Sequence, residues 1–304
     1  MSVGVQVRPD AEIVAVPGRR EWPLALLFLL PSAAVFGVFV FYPLVRTIEL
    51  GLYRSDPFGG TGSYVGISQY GEVLGSAQFR ESLGVTVRFV LLTVPLGLVA
   101  GLALAVLAHQ RLRGVAVFRT IFSSTVATSV AVASLMWITL LNPSVGLVNQ
   151  LLDDLGQSRI QFLQEPGWAL VSVSLATVWQ NLGFTFIILS AGLQAIPDEL
   201  VESARMDGAG PWGRFRHVTL PLLSPSLMFA FVVLSINAFQ SFGQVDLLTQ
   251  GGPDGSTRVL VYSIFRAASG DPSTAAAQAI VLFGIVLVLT LVQLRVLERR
   301  VFYG

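Results

Sequence analysis

Six long stretches of the chain contain no Asp, Glu, Lys or Arg, and they limit the possible folds more than any other feature. Each stretch can cross a bilayer, because a transmembrane helix needs about 20 predominantly apolar residues. Charged residues make up only 12% of the 304 residues, against about 25% in a typical soluble protein. We therefore expect an all-α, polytopic membrane protein with six transmembrane helices. The uncharged stretches are residues 22–45, 89–108, 120–152, 166–197, 218–245 and 272–294.

Turn residues shorten the two longest stretches to the length of a single span. Asn142-Pro143 ends the third stretch and Pro166-Gly167 begins the fourth, since both pairs favour turns or helix starts. Residues 1–21 are expected to form an N-terminal tail, and residues 22–304 one transmembrane domain. The predicted spans lie near residues 22–43, 86–108, 120–141, 168–193, 220–244 and 273–295, with a long polar loop at 195–219.

The distribution of arginine predicts the orientation of the chain in the membrane. The chain has no lysine, and twelve of its 19 basic residues fall on the side that holds both termini and the 195–219 loop, against seven on the other side. Basic residues in short loops favour the cytoplasmic side. We therefore expect both termini and the polar loop to be cytoplasmic.

The composition argues against several classes of activity. Without cysteine there is no thiolate metal site, and the two histidines, His109 and His217, lie in polar loops away from other candidate ligands, so we expect no metal site and no catalytic residue. Without lysine there is no Walker-type ATP-binding loop, and the spans hold no charged residue for a proton relay. An intramembrane enzyme is therefore disfavoured, which leaves an autonomous channel or carrier, or a pore that a separate subunit drives.

The polar loop at 195–219 contains the signals of a short helix. Pro197, Asp198 and Glu199 are typical of a helix start, with acids near its positive end, and Gly208 is suited to a left-handed stop after the helix. From the residues alone, two interpretations remain open: an element that docks on another protein, or an amphipathic connector lying on the membrane.

The spacing of residues in this loop resembles the cytoplasmic coupling loop of the permeases of ABC importers. That motif has Glu-Ala-Ala, three residues, Gly, nine residues and Ile-x-Leu-Pro; here Ser203 replaces an Ala and Val218 the Ile. The resemblance implies that a coupling helix between spans four and five contacts the ATPase. The residues it assigns to coupling are Glu202, Ser203, Ala204, Asp207, Gly208, Ala209, Leu220 and Pro221.

The same resemblance implies partners and a location. It predicts a non-catalytic permease of the bacterial plasma (inner) membrane, forming half of a translocation path with a second permease as a heterodimer. An ATPase dimer would bind ATP and Mg²⁺, so no cofactor is expected in this chain, and an extracytoplasmic binding protein would select the substrate. The bilayer is the other expected partner, and nucleic acid is not one.

Further motifs are similar to those of the first permease subunit of glycerol-3-phosphate and glycerophosphodiester importers. They include Ser55-Asp56-Pro57-Phe58-Gly59, Gly146-Leu147 and the terminal run from Glu298 to Tyr303. Because maltose- and trehalose-type permeases share several of them, a di- or oligosaccharide remains the alternative substrate. Arg88 is the candidate for contact with a phosphate, although an anchor at the membrane interface is the simpler role for it.

Amide and hydroxyl groups within the spans are the candidates for the substrate path. In the fifth span, polar residues recur at three- and four-residue spacing, which places them on one face of a continuous helix. In the fourth span, a polar cluster lies near the middle. The alternative is that these amides hold helices together by interhelical hydrogen bonds. The candidates are Asn237, Gln240, Ser241 and Gln244 in the fifth span, and Trp179, Gln180 and Asn181 in the fourth.

Overall fold

The computed structural model describes residues 22–56, 61–110 and 114–298. The predicted tail at 1–21, residues 57–59 of the Ser55–Gly59 motif and the terminal residues 299–304 lie outside the described residues. The helices are α1 (Trp22–Phe36), α2 (Tyr42–Leu50), α3 (Ser68–Gly75), α4 (Ala77–His109), α5 (Val115–Ser123), α6 (Val130–Leu140), α7 (Leu147–Asp154), α8 (Pro166–Gln194), α9 (Asp198–Met206), α10 (Pro211–Arg214), α11 (Leu220–Leu222), α12 (Ser224–Phe239), α13 (Gly243–Leu248), α14 (Leu260–Ala268) and α15 (Pro272–Glu298).

Short irregular helical segments and one hairpin complete the described secondary structure. Gly37–Phe41 and Phe215–Thr219 are π-helical and Ser124–Ala127 is a 3₁₀ turn, each joining two α-helices. The strands β1 (Tyr53–Ser55) and β2 (Thr61–Tyr64) pair antiparallel. The predicted all-α fold is confirmed, and this hairpin is an addition that the sequence pattern did not predict.

The chain divides into two compact units, residues 1–46 and 47–304. In the first unit the described part is helical from Trp22 onward, as expected for an apolar run without charges. The helical run Ala25–Leu50, which extends into the second unit, is long and apolar enough to cross a membrane.

In the second unit, α4 and α8 pack side by side and form the centre of the fold. They are in close contact at Gly101, where an added Cβ would lie 2.4 Å from Thr185 Cγ2. Phe89 and Val173, both fully buried, belong to the apolar cluster between these two helices and α12. The small residue therefore permits the close helix contact that the core requires, as is common in membrane helix pairs.

Four described helical segments are long and apolar enough to span a membrane, and two bent pairs raise the number to six if each pair is one span. The bends are large: 109° between Val115–Ala127 and Val130–Leu140, and 67° between Pro211–Leu222 and Ser224–Phe239. Pro221 and Pro225 accompany the second bend, and proline removes a backbone donor from a helix. The count of six spans remains a prediction.

The hairpin is attached to the start of α15 through the carboxylate of Asp271. Ser55 Oγ donates to Asp271 Oδ1 at 2.5 Å, and Thr274 donates from Oγ1 to Oδ2 at 2.6 Å and from its backbone N–H to Oδ1 at 3.0 Å. Burial alone would raise the pKa of the Asp271 carboxyl, but these hydrogen bonds favour the ionised form and lower its pKa below the usual value. The carboxylate thereby fixes the hairpin onto α15.

Candidate functional site

Two interruptions of helical structure face the middle of α8. The first is at Thr128 and Ser129, between the 3₁₀ turn and α6, and the second is at 240–242, between α12 and α13. The predicted continuous helix through residue 244 is therefore wrong, since α12 ends at Phe239 and the chain then turns into α13. Each break frees backbone polar groups, which need partners inside a membrane protein.

A chain of side-chain hydrogen bonds connects the two breaks through α8. Gln180 donates from Nε2 to the carbonyl oxygen of Thr128 at 3.2 Å, and its Oε1 accepts from Gln244 Nε2. The amide oxygen of Gln244, Oε1, accepts a hydrogen bond from Ser241 Oγ at 3.3 Å. The Gln180 amide of α8 thus donates to a freed carbonyl at the first break. It also accepts from Gln244, which lies in the first turn after the second break.

Two glycines allow the broken helices to approach their neighbours closely. A Cβ on Gly183 of α8 would lie 2.4 Å from Thr125 Oγ1, which accepts a hydrogen bond from the Gly183 N–H at 2.8 Å. A Cβ on Gly243 of α13 would lie 2.6 Å from Val130 Cγ1 at the start of α6. The segments after the two breaks, α6 and α13, are consequently packed against each other as well as against α8.

The breaks enclose a cavity of about 490 Å³ between α8, α12, α13 and the Ser124–Val130 segment. Six of the seven side chains predicted for the substrate path line it, and Trp179 does not. No charged residue is among the described residues that line it. A wall of amides, hydroxyls and a few apolar groups can recognise a polar ligand through hydrogen bonds. The six predicted residues at the wall are Asn237, Gln240, Ser241, Gln244, Gln180 and Asn181.

The amides at this wall fall into two groups. Gln180 and Gln244 are bonded to each other, so for them the interpretation as helix-joining groups applies. Asn237 and Gln240 are exposed on the cavity and make no side-chain hydrogen bond within the described part of the chain. Asn181 bonds the carbonyl of Thr177 in its own helix at 2.9 Å. Asn237 and Gln240 are therefore the amides available to a ligand.

Sequence reasoning missed the other eight residues of the wall, among them Thr125, Thr128 and Phe184. The hydroxyl run Ser123-Ser124-Thr125, which interrupts an otherwise apolar span, was a signal for the first of them. Phe184 carries no such signal, because an aromatic residue in a span is expected whether it faces lipid, core or cavity.

The polar loop after α8 folds as its local signals predicted. Helix α9 begins at Asp198 and ends before Gly208, whose φ of +81° is left-handed. The Gly208 N–H donates to the Arg205 carbonyl at 3.1 Å and the Ala209 N–H to the Ala204 carbonyl at 3.0 Å. This is the Schellman arrangement, which closes a helix with a glycine in this position.

The eight residues predicted for coupling lie on α9, on the turn after it and on α11. Glu202, Ser203, Asp207 and Gly208 are exposed, whereas the other four are half-buried: Ala204, Ala209, Leu220 and Pro221. Large apolar side chains are also exposed beside them, including Met206 at 87% and Trp212 at 69%. The loop therefore exposes a short helix whose C-terminal end is fixed by the Schellman turn, with exposed apolar side chains beside it.

The structure does not place Arg88 near either the cavity or the loop. Its Nε donates to the Gly84 carbonyl in its own helix at 3.3 Å, and its side chain is exposed. Within residues 22–56, 61–110 and 114–298, no three His, Asp or Glu side chains lie close enough together to hold a metal ion.

A known protein family matches the part of the chain that contains the cavity and the polar loop. The family model described as "Binding-protein-dependent transport system inner membrane component" matches residues 94–303, which include the cavity and the polar loop. The chain belongs to this family. It is accordingly a multi-pass permease of the inner membrane that functions in transport.

Relatives and solved structures agree with this assignment. The permease is 38% identical over 283 residues to the sn-glycerol-3-phosphate transport system permease protein UgpA of Yersinia enterocolitica, covering 92% of this chain and 96% of the relative. The corresponding protein of Salmonella typhimurium is 34% identical over 288 residues, with coverage of 94% and 97%. Both are similar to this permease along nearly their whole length.

Solved structures of a bacterial ABC transporter that imports the acidic polysaccharide alginate contain a chain with the same fold. The TM-score is 0.81 at 24% sequence identity, covering 92% of this chain and 96% of that one. A second structure of the alginate transporter, in complex with a periplasmic protein bound to alginate pentasaccharide, gives a TM-score of 0.82, also at 24% identity. The fold of this permease is thus that of an ABC importer subunit.

Proposed function

We propose that this permease is one transmembrane subunit of an ATP-driven importer for glycerol-3-phosphate or a glycerophosphodiester such as glycerophosphocholine. The observation that carries the proposal is identity of 34–38% to glycerol-3-phosphate permeases over more than nine-tenths of the chain. The uncharged cavity supports a transport role, because its unpaired amides, Asn237 and Gln240, can bond the hydroxyl groups of a glycerol moiety.

In this proposal the chain contributes half of the path and no catalysis. A second permease completes the cavity, an ATPase dimer binds ATP and Mg²⁺, and an extracytoplasmic binding protein delivers the ligand. Both termini and the α9 loop lie in the cytoplasm, as the arginine distribution favours. The periplasmic protein bound to the alginate transporter is consistent with a partner of this kind.

Coupling would operate through the α9 loop. Because the Schellman turn at Gly208 fixes the end of α9, a push on this helix is transmitted to α11 and α12 instead of being absorbed by a flexible turn. Helix α12 then leads to the break at 240–242, which forms part of the cavity wall. The loop and the cavity are thereby connected through α11 and α12, with the bend of 67° between these two helices.

Purification of the complex tests the class of function. The tagged permease, extracted gently, should bring with it an ATPase and a second permease. The reconstituted complex with its binding protein should hydrolyse ATP several times faster when glycerol-3-phosphate is present. A permease that moves glycerol-3-phosphate across liposomes alone, without an ATPase, would be an autonomous channel or carrier and would contradict the proposal.

A di- or oligosaccharide importer is the second candidate, and the absence of charge on the described cavity wall favours it. The same reconstituted complex discriminates between the two. Trehalose or maltose should not stimulate ATP hydrolysis if the substrate is a glycerophosphate, and stimulation by these sugars alone would assign the permease to the sugar class.

A further inference from the structure

A second cavity lies at the other end of α8, between its last turns and α5. Its volume is about 540 Å³, and its wall combines apolar carbon with four polar side chains. Those side chains are Arg119, Ser123, Ser190 and Gln194. No acidic residue is among the described residues that line it.

The guanidinium of Arg119 is held in place on one side. Its Nε and Nη2 donate to the carbonyl oxygen of Ala108, in the last turn of α4, at 3.2 and 2.8 Å. Nη1 has no hydrogen bond to any residue that the structure describes, and no described acid forms an ion pair with it. An arginine fixed by a backbone carbonyl presents its remaining N–H groups in a defined direction, which suits recognition of an oxyanion.

The hydroxyl groups beside Arg119 also lack partners. Ser190 Oγ is buried and has no hydrogen bond within the described part of the chain, although a buried hydroxyl without a partner is unfavourable. Gln194 donates from Nε2 to the Ser190 carbonyl at 3.1 Å. The cavity thus offers a fixed cation beside a buried hydroxyl that has no partner among the described residues, and donors of these two kinds match the several oxygens of a phosphate group.

The two cavities lie along the same face of α8. Gln180, Phe184, Ile187, Ala191 and Gln194 follow one another at helical spacing and form a stripe on that face. The first two line the central cavity and the last three the second one. Fourteen residues of helix separate the ends of the stripe by about 21 Å. Arg119 is the one charged residue among the described residues that line either cavity.

We propose that the second cavity is a phosphate-binding site with Arg119 as its charged group. The site rests on the proposed function, because it lies where a phosphate ester leaving the central cavity along the α8 stripe would first meet a positive charge. A phospholipid headgroup offers the same chemistry. Among the described arginines, Arg119 rather than Arg88 is therefore the one that we assign to recognition of a phosphate.

Direct binding measurements on the purified membrane complex test the site. In delipidated, maltoside-solubilised complex without the external binding protein, radiolabelled glycerol-3-phosphate should bind in a salt-sensitive manner. Arg119→Gln keeps a donor for the Ala108 carbonyl and removes the charge, so binding should weaken about tenfold, whereas Arg119→Lys should retain much of it. Arg88→Gln is the matched control, because Arg88 also bonds a helix carbonyl through Nε but lines neither cavity.

A second arm distinguishes the two sources of phosphate. Native mass spectrometry of the complex in nanodiscs that contain phosphatidylglycerol counts the lipids that remain bound. Loss of a retained lipid in Arg119→Gln, with unchanged binding of glycerol-3-phosphate, assigns the site to a headgroup. If Arg119→Gln changes neither measurement in a complex that elutes as a single species, the site does not exist as proposed.

Where Arg119→Gln does not assemble, Ser190→Ala takes its place and should weaken binding about threefold, and no change in that variant would count against the site.

Failure of the proposed function has a different signature. In that case glycerol-3-phosphate does not stimulate ATP hydrolysis by the wild-type complex, although inorganic phosphate or lipid binding still depends on Arg119. Conversely, normal stimulation with no effect of Arg119→Gln on the binding of either glycerol-3-phosphate or lipid overturns only the site.

Discussion

Replacement of Gln180 by leucine should destabilise the permease, whereas replacement of Asn237 should impair transport. Gln180→Leu removes the hydrogen bond to the Thr128 carbonyl and the one from Gln244. With about 0.5–1.5 kcal/mol for each bond, the loss is about 1–3 kcal/mol, and the average of about 0.6 kcal/mol for interhelical bonds in a membrane favours the lower part of that range. Asn237→Leu removes no hydrogen bond from the described structure, so its stability should change by less than about 0.5 kcal/mol.

Thermal unfolding of the detergent-purified complex, measured beside ligand uptake by cells, separates the two effects. Gln180→Leu should lower the unfolding midpoint by several degrees and reduce the amount of assembled complex. Asn237→Leu should leave both unchanged and reduce uptake per assembled complex. Equal midpoints for the two variants, or a lower midpoint for Asn237→Leu alone, would show that the division of the cavity amides into bonded and free groups is incorrect.

Three further perturbations test other parts of the structure. Gly101→Val should push α4 away from the threonine it contacts in α8 and lower assembled protein by overpacking worth about 1–3 kcal/mol, whereas Gly84→Val, where a Cβ meets open space, should assemble normally on an immunoblot. Gly208→Val places a branched residue at a φ of +81°, at a cost of about 1–3 kcal/mol, so uptake should fall relative to ATP hydrolysis; Gly210→Val should keep the two coupled. Asp271 has a lowered pKa, so its stabilising bonds are complete above a pH of about 4 and are lost as the pH falls through that lowered pKa. A thermal-unfolding series from pH 6 to pH 3 should show an acid-sensitive component that Asp271→Asn lacks.

The parts of the fold that depend on composition and local signals were predictable from the sequence. Uncharged runs of 20 residues or more predicted the membrane helices, and Pro197 and Gly208 predicted the bounds of α9, because caps and stops act within a few residues. The role of α9 in coupling stays a prediction that rests on the spacing of its motif.

The helix breaks were not predictable, because tertiary contacts stabilise them. The hydroxyl residues around Thr128 do not by themselves indicate a bend of 109°, since the freed carbonyl is compensated by Gln180, 52 residues later. The polar set of the fifth span was assigned to the cavity from helical periodicity. Its members do line the cavity, but they do so because the chain turns at 240–242. The role of Arg119 requires knowing that α4 ends beside α5, which local pattern does not contain.

The described residues that line the central cavity carry no charge, and this has an electrical consequence. An anion that crosses it carries its negative charge through the membrane potential, and among the described lining residues it meets no counter-charge before Arg119. Where the cell interior is negative, inward movement of one negative charge costs about 2.3 kcal/mol for every 100 mV. Uptake of a phosphate ester should thus slow as the membrane is hyperpolarised, and a neutral solute on the same route would be indifferent to voltage.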